Sequence, residues 1–225
     1  MSPPYSQSAA SPRSSSLRPL VSVVVPVYNR PILVLETLAS IVQNSYRPIE
    51  IIAIDDGSTD ETGAVLDTWA NENVRADVFI RIIHKTNGGE ASARNAGVST
   101  STGDFVAFLD SDDLFKPNMI SELAQALRAN HAAFAYAKSE QTVHGKLGAT
   151  IGTQLTSRWN SIPDHNWHVS ALLIRRDALL KTGPFRFDLP VSGDWEFAAR
   201  VKARNSQGIF VPKILTEYRV PCLSG

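Results

Sequence analysis

The sequence has 225 residues with 22 basic and 22 acidic side chains, so its net charge is zero, which argues against binding nucleic acid through bulk positive charge. Its single cysteine, Cys222, excludes an internal disulfide framework, and no stretch is apolar and long enough to span a bilayer. This length favours one domain, with or without an appendage, and we expect a soluble protein of the cytoplasm.

The first twenty residues differ from the rest of the chain. Residues 1–20 contain seven serines and four prolines, and the first acidic residue is Glu36. Such a segment has too little apolar surface to offset the entropy of ordering it, so we predict a disordered tail. Whether the tail targets the protein stays open at this point. Residues 21–225 are interpreted as a single domain.

Strands and helices alternate along the first half of that domain. Apolar, β-branched runs predict strands at Val21–Val27, Glu50–Ile54, Val78–Ile83 and Asp104–Leu109. The intervening helices are predicted at Pro31–Gln43, Ser58–Trp69, Gly89–Val98 and Pro117–Ala129, the second opened by a capping box at Ser58–Glu61. This alternation predicts an α/β fold whose mostly parallel central sheet is flanked by helices. Ligands of such sheets bind beyond the carboxyl ends of the strands.

The pattern is weaker in the second half. Strands are predicted at Ala132–Tyr136, as a pair within Gln141–Ile151, at Val169–Ile174 and at Gly208–Pro212. Helices are predicted at Arg176–Thr182 and Gly193–Arg204, and the second of these is amphipathic.

Acidic motifs follow two of the predicted strands, at Asp55-Asp-Gly-Ser-Thr-Asp60 and at Asp110-Ser-Asp-Asp113. Acidic side chains at one sheet edge repel one another, which favours a bound cation or a basic ligand group. Carboxylates two positions apart, such as Asp110 and Asp112, can both reach one Mg²⁺ or Mn²⁺ ion. The alternative is an ordinary turn in which Asp112 or Asp113 caps the next helix.

Other polar residues near these motifs have two interpretations each. Asp55 or Asp56 either organises its turn or accepts hydrogen bonds from a nucleobase or a ribose. Tyr28 either packs in the core or stacks on a base. Arg94 is either a solvated surface residue or a cation that holds the acidic cleft together or meets a phosphate.

Four motifs occur in order: Val23-Val-Val-Pro-Val-Tyr-Asn29, the two acidic motifs, and Gly88-Gly-Glu-Ala-Ser-Ala-Arg-Asn-Ala-Gly97 between them. Together they resemble the family-2 glycosyltransferases, which are inverting enzymes with the GT-A fold. A fainter match continues through Gly193-Asp-Trp-Glu196 and Tyr218-Arg219. The resemblance implies a nucleotide-sugar donor, most often UDP-linked, and an Mn²⁺ or Mg²⁺ ion. It also implies a nucleotide-binding half at 21–117 and an acceptor half at 118–225.

The resemblance gives individual residues expected roles. Asp112, the second aspartate of the family's DXD motif, would hold the metal ion on the donor diphosphate. The residues expected to contact the nucleotide sugar are Pro26, Tyr28, one or both of Asp55 and Asp56, Arg94, Asp110 and Ser111. Aromatic rings stack on sugar faces, and the candidates for contacting the acceptor are Trp167, His168 and Trp195. For the aromatic stretch around Trp167, packing under a loop is the alternative, and His165 or His168 could also reach a metal ion.

The family also needs a catalytic base, usually an aspartate that follows a glutamate on a later helix. Here the pair reads Gly193-Asp194, so Asp194 is the candidate base and Glu196 its substitute. Asp194 as a helix N-cap is the alternative, and the two roles can coexist because a helix N-terminus keeps a carboxylate ionised. Asp194 would remove a proton from the acceptor hydroxyl, whose oxygen displaces the nucleotide with inversion.

We therefore expect a metal-dependent, hexosyltransferase-like enzyme that acts on a carbohydrate, lipid-linked or protein acceptor. The alternative is an inactive protein that binds nucleotide sugars or glycans on the same fold, since Gly193 replaces the usual glutamate. A pyrophosphorylase would need a Gly-rich loop after the first strand, where this sequence has Tyr28-Asn-Arg-Pro31, and a dehydrogenase or a kinase would need a G-x-G-x-x-G motif or a P-loop. Peripheral association with the inner face of a membrane stays open, and the sequence names neither sugar nor acceptor.

Overall fold

The computed structural model describes residues 18–143, 146–152, 168–189, 193–205 and 207–220. The predicted tail falls almost entirely outside these ranges, and so does Trp167. No helix within the described ranges is long and apolar enough to cross a membrane.

A nine-stranded sheet with helices on both faces forms the described part of the chain. Its strands are β1 (Val21–Val27), β2 (Ile49–Asp55), β3 (Val78–His84), β4 (Phe105–Phe108), β5 (Leu114–Phe115), β6 (Phe134–Val143), β7 (Lys146–Ile151), β8 (Leu172–Arg175) and β9 (Gly208–Val220). Its helices are α1 (Leu33–Val42), α2 (Thr62–Glu72), α3 (Glu90–Thr100), α4 (Met119–Asn130), α5 (Arg176–Thr182) and α6 (Gly193–Arg204).

The strand order is β3-β2-β1-β4-β8-β6-β9-β5, with β7 paired beside β6. The strands β3, β2, β1 and β4 are parallel, as the alternating pattern predicts. Beyond β4 the sheet is mixed, because β8 pairs antiparallel with both β4 and β6, while β9 runs parallel to β6. The predicted α/β class is confirmed, and the parallel arrangement belongs mainly to the first half of the chain.

The central strands are buried on both faces, which explains their continuous apolar sequence. Val23 and Val25 of β1 face a core that also contains side chains of α1, α2 and α4. Val24 faces the opposite core, with side chains of α3, α5 and α6. A Cβ at Gly97 of α3 would lie 2.3 Å from a methyl group of Val24, so only glycine lets α3 approach β1 this closely.

Three local predictions are wrong. Ser58 does not cap α2: the helix begins at Thr62, and the Ser58 hydroxyl instead accepts a hydrogen bond from the backbone N–H of Asn29 at 3.0 Å. The predicted strand Val169–Ile174 begins as a short 3₁₀-helix, Val169–Ala171, before β8. The last strand does not end at Pro212 but continues to Val220, where its pairing with β6 supplies the backbone partners.

Candidate functional site

A cleft of about 500 Å³ lies beyond the carboxyl ends of β1, β2 and β4, where the sheet rule places a ligand. The sequence-predicted residues that line it are Pro26, Tyr28, Asp56, Asp110, Ser111, Asp112, His168 and Asp194. Asp55 and Arg94 lie behind this lining, and Trp195 is half-buried on α6 outside it. One cleft therefore brings together most of the candidates from both halves of the chain.

Tyr28 stands at the wall of the cleft on the turn that follows β1. The neighbouring Asn29 has a positive φ of 49°, and its side-chain Oδ1 accepts a hydrogen bond from the backbone N–H of Thr59 at 2.9 Å. These contacts join the turn after β1 to the turn after β2. The ring of Tyr28 stays 46% exposed, so it does not pack in the core and is free to stack on a flat ligand.

The adjacent aspartates Asp55 and Asp56 serve different loops. The carboxylate of Asp56 accepts hydrogen bonds from the backbone N–H groups of Gly88 at 3.1 Å and Gly89 at 2.7 Å, and contacts the Lys85 ammonium group. It thereby fixes the loop that enters α3. Asp55 instead accepts a hydrogen bond from the backbone N–H of Ser58 at 3.0 Å. Both organise turns, and Asp56 also reaches the cleft.

Asp55 also contacts His84, which bridges two carboxylates. The His84 ring lies 2.9 Å from Asp55 through Nδ1 and 3.1 Å from Asp67 through Nε2. The hydrogen bond to Asp55, followed by the one to Asp67, raises the pKa of His84 above its usual value of 6.5. Burial opposes ionisation of Asp55, but the hydrogen bonds from Ser58 and His84 outweigh it and lower the pKa of Asp55.

Replacing His84 by asparagine is expected to destabilise the fold more at about pH 5.5 than at about pH 8.5. A raised histidine pKa contributes stability that is complete below the unfolded pKa and is lost as pH rises through the folded pKa. Because the pKa of Asp55 is lowered, its carboxylate stays ionised and keeps stabilising the fold until the pH falls below about 4. Because the His84 side chain is 46% exposed, the difference between the two pH values should be only on the order of 0.5 kcal/mol. Urea unfolding at both pH values measures it, and equal destabilisation would contradict the assignment.

Arg94 lies on α3 beneath the cleft and is 2% exposed. Its Nη2 group donates to Asp110 at 2.6 Å and to Glu90 at 2.7 Å, and its Nη1 group donates to Asp194 at 2.5 Å. Its guanidinium carbon also lies 5.3 Å from the centre of the Phe185 ring. Arg94 is therefore not a solvated surface residue, and it joins acidic side chains from three parts of the chain.

The two aspartates that share Arg94 have pKa values shifted in opposite directions. Burial opposes ionisation of Asp110, but the positive charge of Arg94 outweighs it, and the pKa of Asp110 lies below its usual value. Burial raises the pKa of Asp194 in spite of Arg94, and the negative charge of Asp110 adds to the increase. Paired carboxyl groups with separated pKa values are typical of sites in which one stays ionised and the other exchanges a proton.

Asp112 and Asp113 point to different environments. Asp112 lines the cleft, with its Oδ2 atom 4.0 Å from the Nε atom of Arg30. Asp113 is fully buried, and its carboxylate accepts hydrogen bonds from the Ser170 hydroxyl at 2.8 Å and the Arg219 backbone N–H at 3.1 Å. The turn therefore exposes Asp112 to the cleft and uses Asp113 to hold β9 and the 3₁₀-helix.

His168 stands between the two ends of this turn. Its Nδ1 atom is 3.4 Å from Asp113, its Nε2 atom is 3.9 Å from Asp110, and its ring centre is 4.6 Å from that of Tyr218. Asp110, Asp113 and His168 each offer one ligand atom, and these atoms lie within 4.8 Å of one another. The buried Nδ1 atom has no hydrogen-bond partner within the described residues. The group has the oxygen and nitrogen donors that suit a divalent transition metal.

Sequence reasoning missed the cleft residues Glu90, Arg30 and Tyr218 and the metal-ligand role open to Asp113. Glu90 precedes Arg94 by four residues, so the spacing of an ion pair along one helix face was the available signal. Tyr218 comes from the far end of the chain, where the faint family match at Tyr218-Arg219 was the available signal, although it gave Tyr218 no role in the site.

The model of the family described as Glycosyl transferase family 2 matches residues 22–181. Glycosyltransferase GlyG of Streptococcus pneumoniae serotype 4 is 40% identical over 114 residues, which are 50% of this chain and 36% of GlyG. An uncharacterized glycosyltransferase of Haemophilus influenzae is 30% identical over 217 residues, covering 90% of this chain and 66% of that protein. The match to GlyG thus spans about a third of that relative's length.

Solved structures share the fold at low sequence identity. Residues 1–349 of TarS from S. aureus, in complex with UDP-GlcNAc, superpose with a TM-score of 0.71 at 20% identity, over 89% of this chain and 58% of that one. The mannosyltransferase PcManGT from Pyrobaculum calidifontis, in complex with GDP-Man and Mn²⁺, gives 0.73 at 20% identity, over 93% and 59%. The fold is of the GT-A type, and because the family model spans most of the sequence, this chain belongs to glycosyltransferase family 2.

Proposed function

We propose that this chain is a metal-dependent inverting glycosyltransferase that transfers a sugar from a nucleoside-diphosphate donor to an acceptor hydroxyl. The observation that carries the proposal is the shared Arg94, which holds the carboxylates of Asp110 and Asp194 together at one cleft beyond the carboxyl ends of the parallel strands. TarS in complex with UDP-GlcNAc and PcManGT in complex with GDP-Man support a nucleotide-sugar donor. UDP is the first nucleotide to test, and GDP and dTDP are the alternatives.

Asp194 is the proposed general base. Arg94 contacts its Oδ1 atom, and we assign its Oδ2 atom to the acceptor hydroxyl. The carboxylate takes the hydroxyl proton while the acceptor oxygen forms a bond to the anomeric carbon. The bond from that carbon to the diphosphate breaks on the opposite side, so the configuration inverts and the nucleoside diphosphate leaves. A raised pKa makes Asp194 a stronger base than an ordinary aspartate.

The remaining cleft residues are proposed to bind the donor. Tyr28 would stack on the base beside Pro26. Asp56, which fixes the loop that enters α3, would contact the nucleoside. Asp110, held ionised by Arg94, would accept a hydrogen bond from the ribose or the sugar, with Ser111 beside it. The acceptor and the location of the protein, in the cytoplasm or at the inner face of a membrane, stay predictions.

The residues of the Asp110–Asp113 turn fit a divalent cation such as Mn²⁺ or Mg²⁺. Burial and the nearby charge of Asp110 raise the pKa of Asp112, which a bound cation would reverse. We propose Asp112 and His168 as ligands because both line the cleft. The Asp113 carboxylate lies 3.4 Å from Nδ1 of His168 without a hydrogen bond between them, and when a cation is bound it would accept one from Nδ1 and so orient the ring, as carboxylates behind metal-bound histidines commonly do. When bound, the cation would neutralise negative charge on the diphosphate as a Lewis acid.

Replacing Asp112 by asparagine is expected to lower the affinity for Mn²⁺ by roughly 10- to 100-fold, because a charged oxygen ligand becomes a neutral one. Replacing His168 by alanine should have a similar effect. Electron paramagnetic resonance of free Mn²⁺ measures both, with the exposed Asp188, paired with Arg186 and outside the cleft lining, replaced by asparagine as the control. Unchanged Mn²⁺ affinity in both variants would contradict these ligands, whereas loss in an Asp113→Asn variant alone would favour Asp113 as the direct ligand.

The reaction itself is tested by incubating the protein with Mn²⁺ and a panel of UDP-, GDP- and dTDP-sugars, with and without simple glycan acceptors. The proposal predicts release of one nucleoside diphosphate and, by NMR, a product with the opposite anomeric configuration. Retention of configuration would contradict the mechanism. Donor binding without hydrolysis or transfer would favour the inactive binding protein that Gly193 motivates.

A further inference from the structure

A short segment at residues 183–186 is held by polar side chains from two helices. From α3, the side-chain amide of Asn95 donates to the backbone carbonyl of Phe185 at 2.9 Å and accepts from its backbone N–H at 2.8 Å. From α6, Arg200 donates to the carbonyls of Thr182 at 3.0 Å and Pro184 at 2.8 Å. The segment is therefore fixed between α3 and α6.

The ring of Phe185 continues this connection into the core. It stacks on Phe197 of α6 with 3.8 Å between ring centres and an angle of 16°, and it meets Phe108 of β4 edge to face at 5.1 Å. Its other neighbour is Arg94, whose guanidinium carbon lies 5.3 Å from the ring centre. Phe185 thus lies between the buried cation of α3 and the helix that carries Asp194.

Adjacent residues of α3 therefore hold the start of α6 in two ways. Arg94 contacts Asp194 directly, whereas Asn95 acts through Phe185 and Phe197, and Phe197 follows Asp194 by three residues on the same helix. Residues three apart lie on one helix face, so a movement of Phe197 also moves the Asp194 carboxylate. A displacement of about 1 Å at a reacting group can reduce turnover by about 100-fold.

We propose that Asn95 is a positioning residue that sets the place of the Asp194 carboxylate through Phe185. This inference rests on the proposed role of Asp194 as the base. Asn95 itself lies outside the residues that line the cleft, so its loss should leave donor binding intact. An amide at this position satisfies both backbone groups of Phe185 at once, which no aliphatic side chain can do.

An Asn95→Ala variant is expected to have kcat lowered by roughly 10- to 100-fold, with the donor KM and the nucleotide Kd unchanged within about 2-fold. The matched control is Asn205→Ala. Asn205 is buried, whereas Asn95 is half-buried, and the side-chain amide of Asn205 joins α5 to α6 through Ala178 at 3.4 Å, Thr182 at 3.0 Å and Val201 at 2.8 Å, at the end of α6 opposite to Asp194. Its loss should lower the unfolding midpoint without lowering kcat. Equal kcat values in the two variants would overturn the proposal.

A double-mutant cycle keeps the proposal testable if the wild-type protein proves inactive, which would refute the proposed function alone. The free energy of unfolding is measured for Asn95→Ala, for Asp194→Asn and for the double variant. A second cycle replaces Asn95→Ala by Asn205→Ala. The side chains of Asn95 and Asp194 share no hydrogen bond, yet their effects on stability should not be additive because Phe185 and Phe197 couple them. Asn205 and Asp194 should be additive. Additive effects in both cycles would overturn the proposed coupling whatever the activity.

Discussion

Replacing Asp194 by asparagine is expected to lower kcat for sugar transfer by roughly 10²- to 10⁴-fold, because an amide cannot take the proton of the acceptor hydroxyl. Asparagine keeps the size of the side chain and an oxygen that can still accept from Arg94. The cleft should therefore stay formed, and the affinity for the nucleoside diphosphate should change little. Single-turnover kinetics with the donor, alongside calorimetric titration of the nucleotide, separate these two effects.

Glu196 provides the matched control for this experiment. It lies two residues after Asp194, but its carboxylate is bound on both oxygens by Arg200, at 2.8 Å and 2.7 Å. It is therefore engaged within α6, and Glu196→Gln should keep most of the transfer activity. The opposite pattern, with Glu196→Gln inactive and Asp194→Asn active, would exchange the two roles. An equal loss in both variants would point to damage of α6.

Replacing Arg94 by methionine is expected to lower the free energy of unfolding by about 3–5 kcal/mol, the usual loss when one partner of a buried charge group is removed. Asp110 and Asp194 would then remain at the cleft without their shared cation, and burial would raise the pKa of both carboxyl groups. Methionine keeps much of the aliphatic length of the side chain, so the loss reports the charge more than the volume. Urea unfolding near neutral pH measures it.

Arg186→Met is the control for Arg94. The Arg186–Asp188 pair is exposed, so its removal should leave the unfolding midpoint nearly unchanged. An Arg94→Met protein as stable as the control would contradict the view that a buried cation holds the cleft together. If Arg94→Met fails to fold, Arg94→Lys keeps the charge without the forked geometry and should show an intermediate loss.

The parts of the fold that the sequence predicts well are those with a strong local signal. β1 and β2 are continuous apolar runs because both of their faces are buried, and such a pattern predicts strands of a parallel sheet. The capping box at Ser58 was misleading because the Ser58 hydroxyl binds Asn29, which lies on another turn. The full length of β9 could not be predicted, since it depends on pairing with β6 rather than on its own residues.

The site was predictable as a set of motifs but not as a set of contacts. Acidic residues after parallel strands must meet at one edge of the sheet, which explains why Asp56, Asp110 and Asp112 line one cleft. The attachment of Asp194 to Arg94 joins residues one hundred positions apart. Spacing within either helix carries no information about such a contact. Likewise, Asp113 is buried and Asp112 faces the cleft because Asp113 accepts hydrogen bonds from Ser170 and from β9, which are distant in sequence.

Calorimetric titration of UDP, GDP and dTDP into the folded protein, with Mn²⁺ and then with a chelator, tests the proposed nucleotide-sugar site most directly. We expect one of these nucleotides to bind in the presence of Mn²⁺, and chelation of the ion to weaken this binding by roughly 10-fold or more. An Asp112→Asn protein should resemble the chelated sample. Binding of no nucleotide by a folded sample, or equal affinity with and without Mn²⁺, would contradict a metal-dependent nucleotide-sugar site in this cleft.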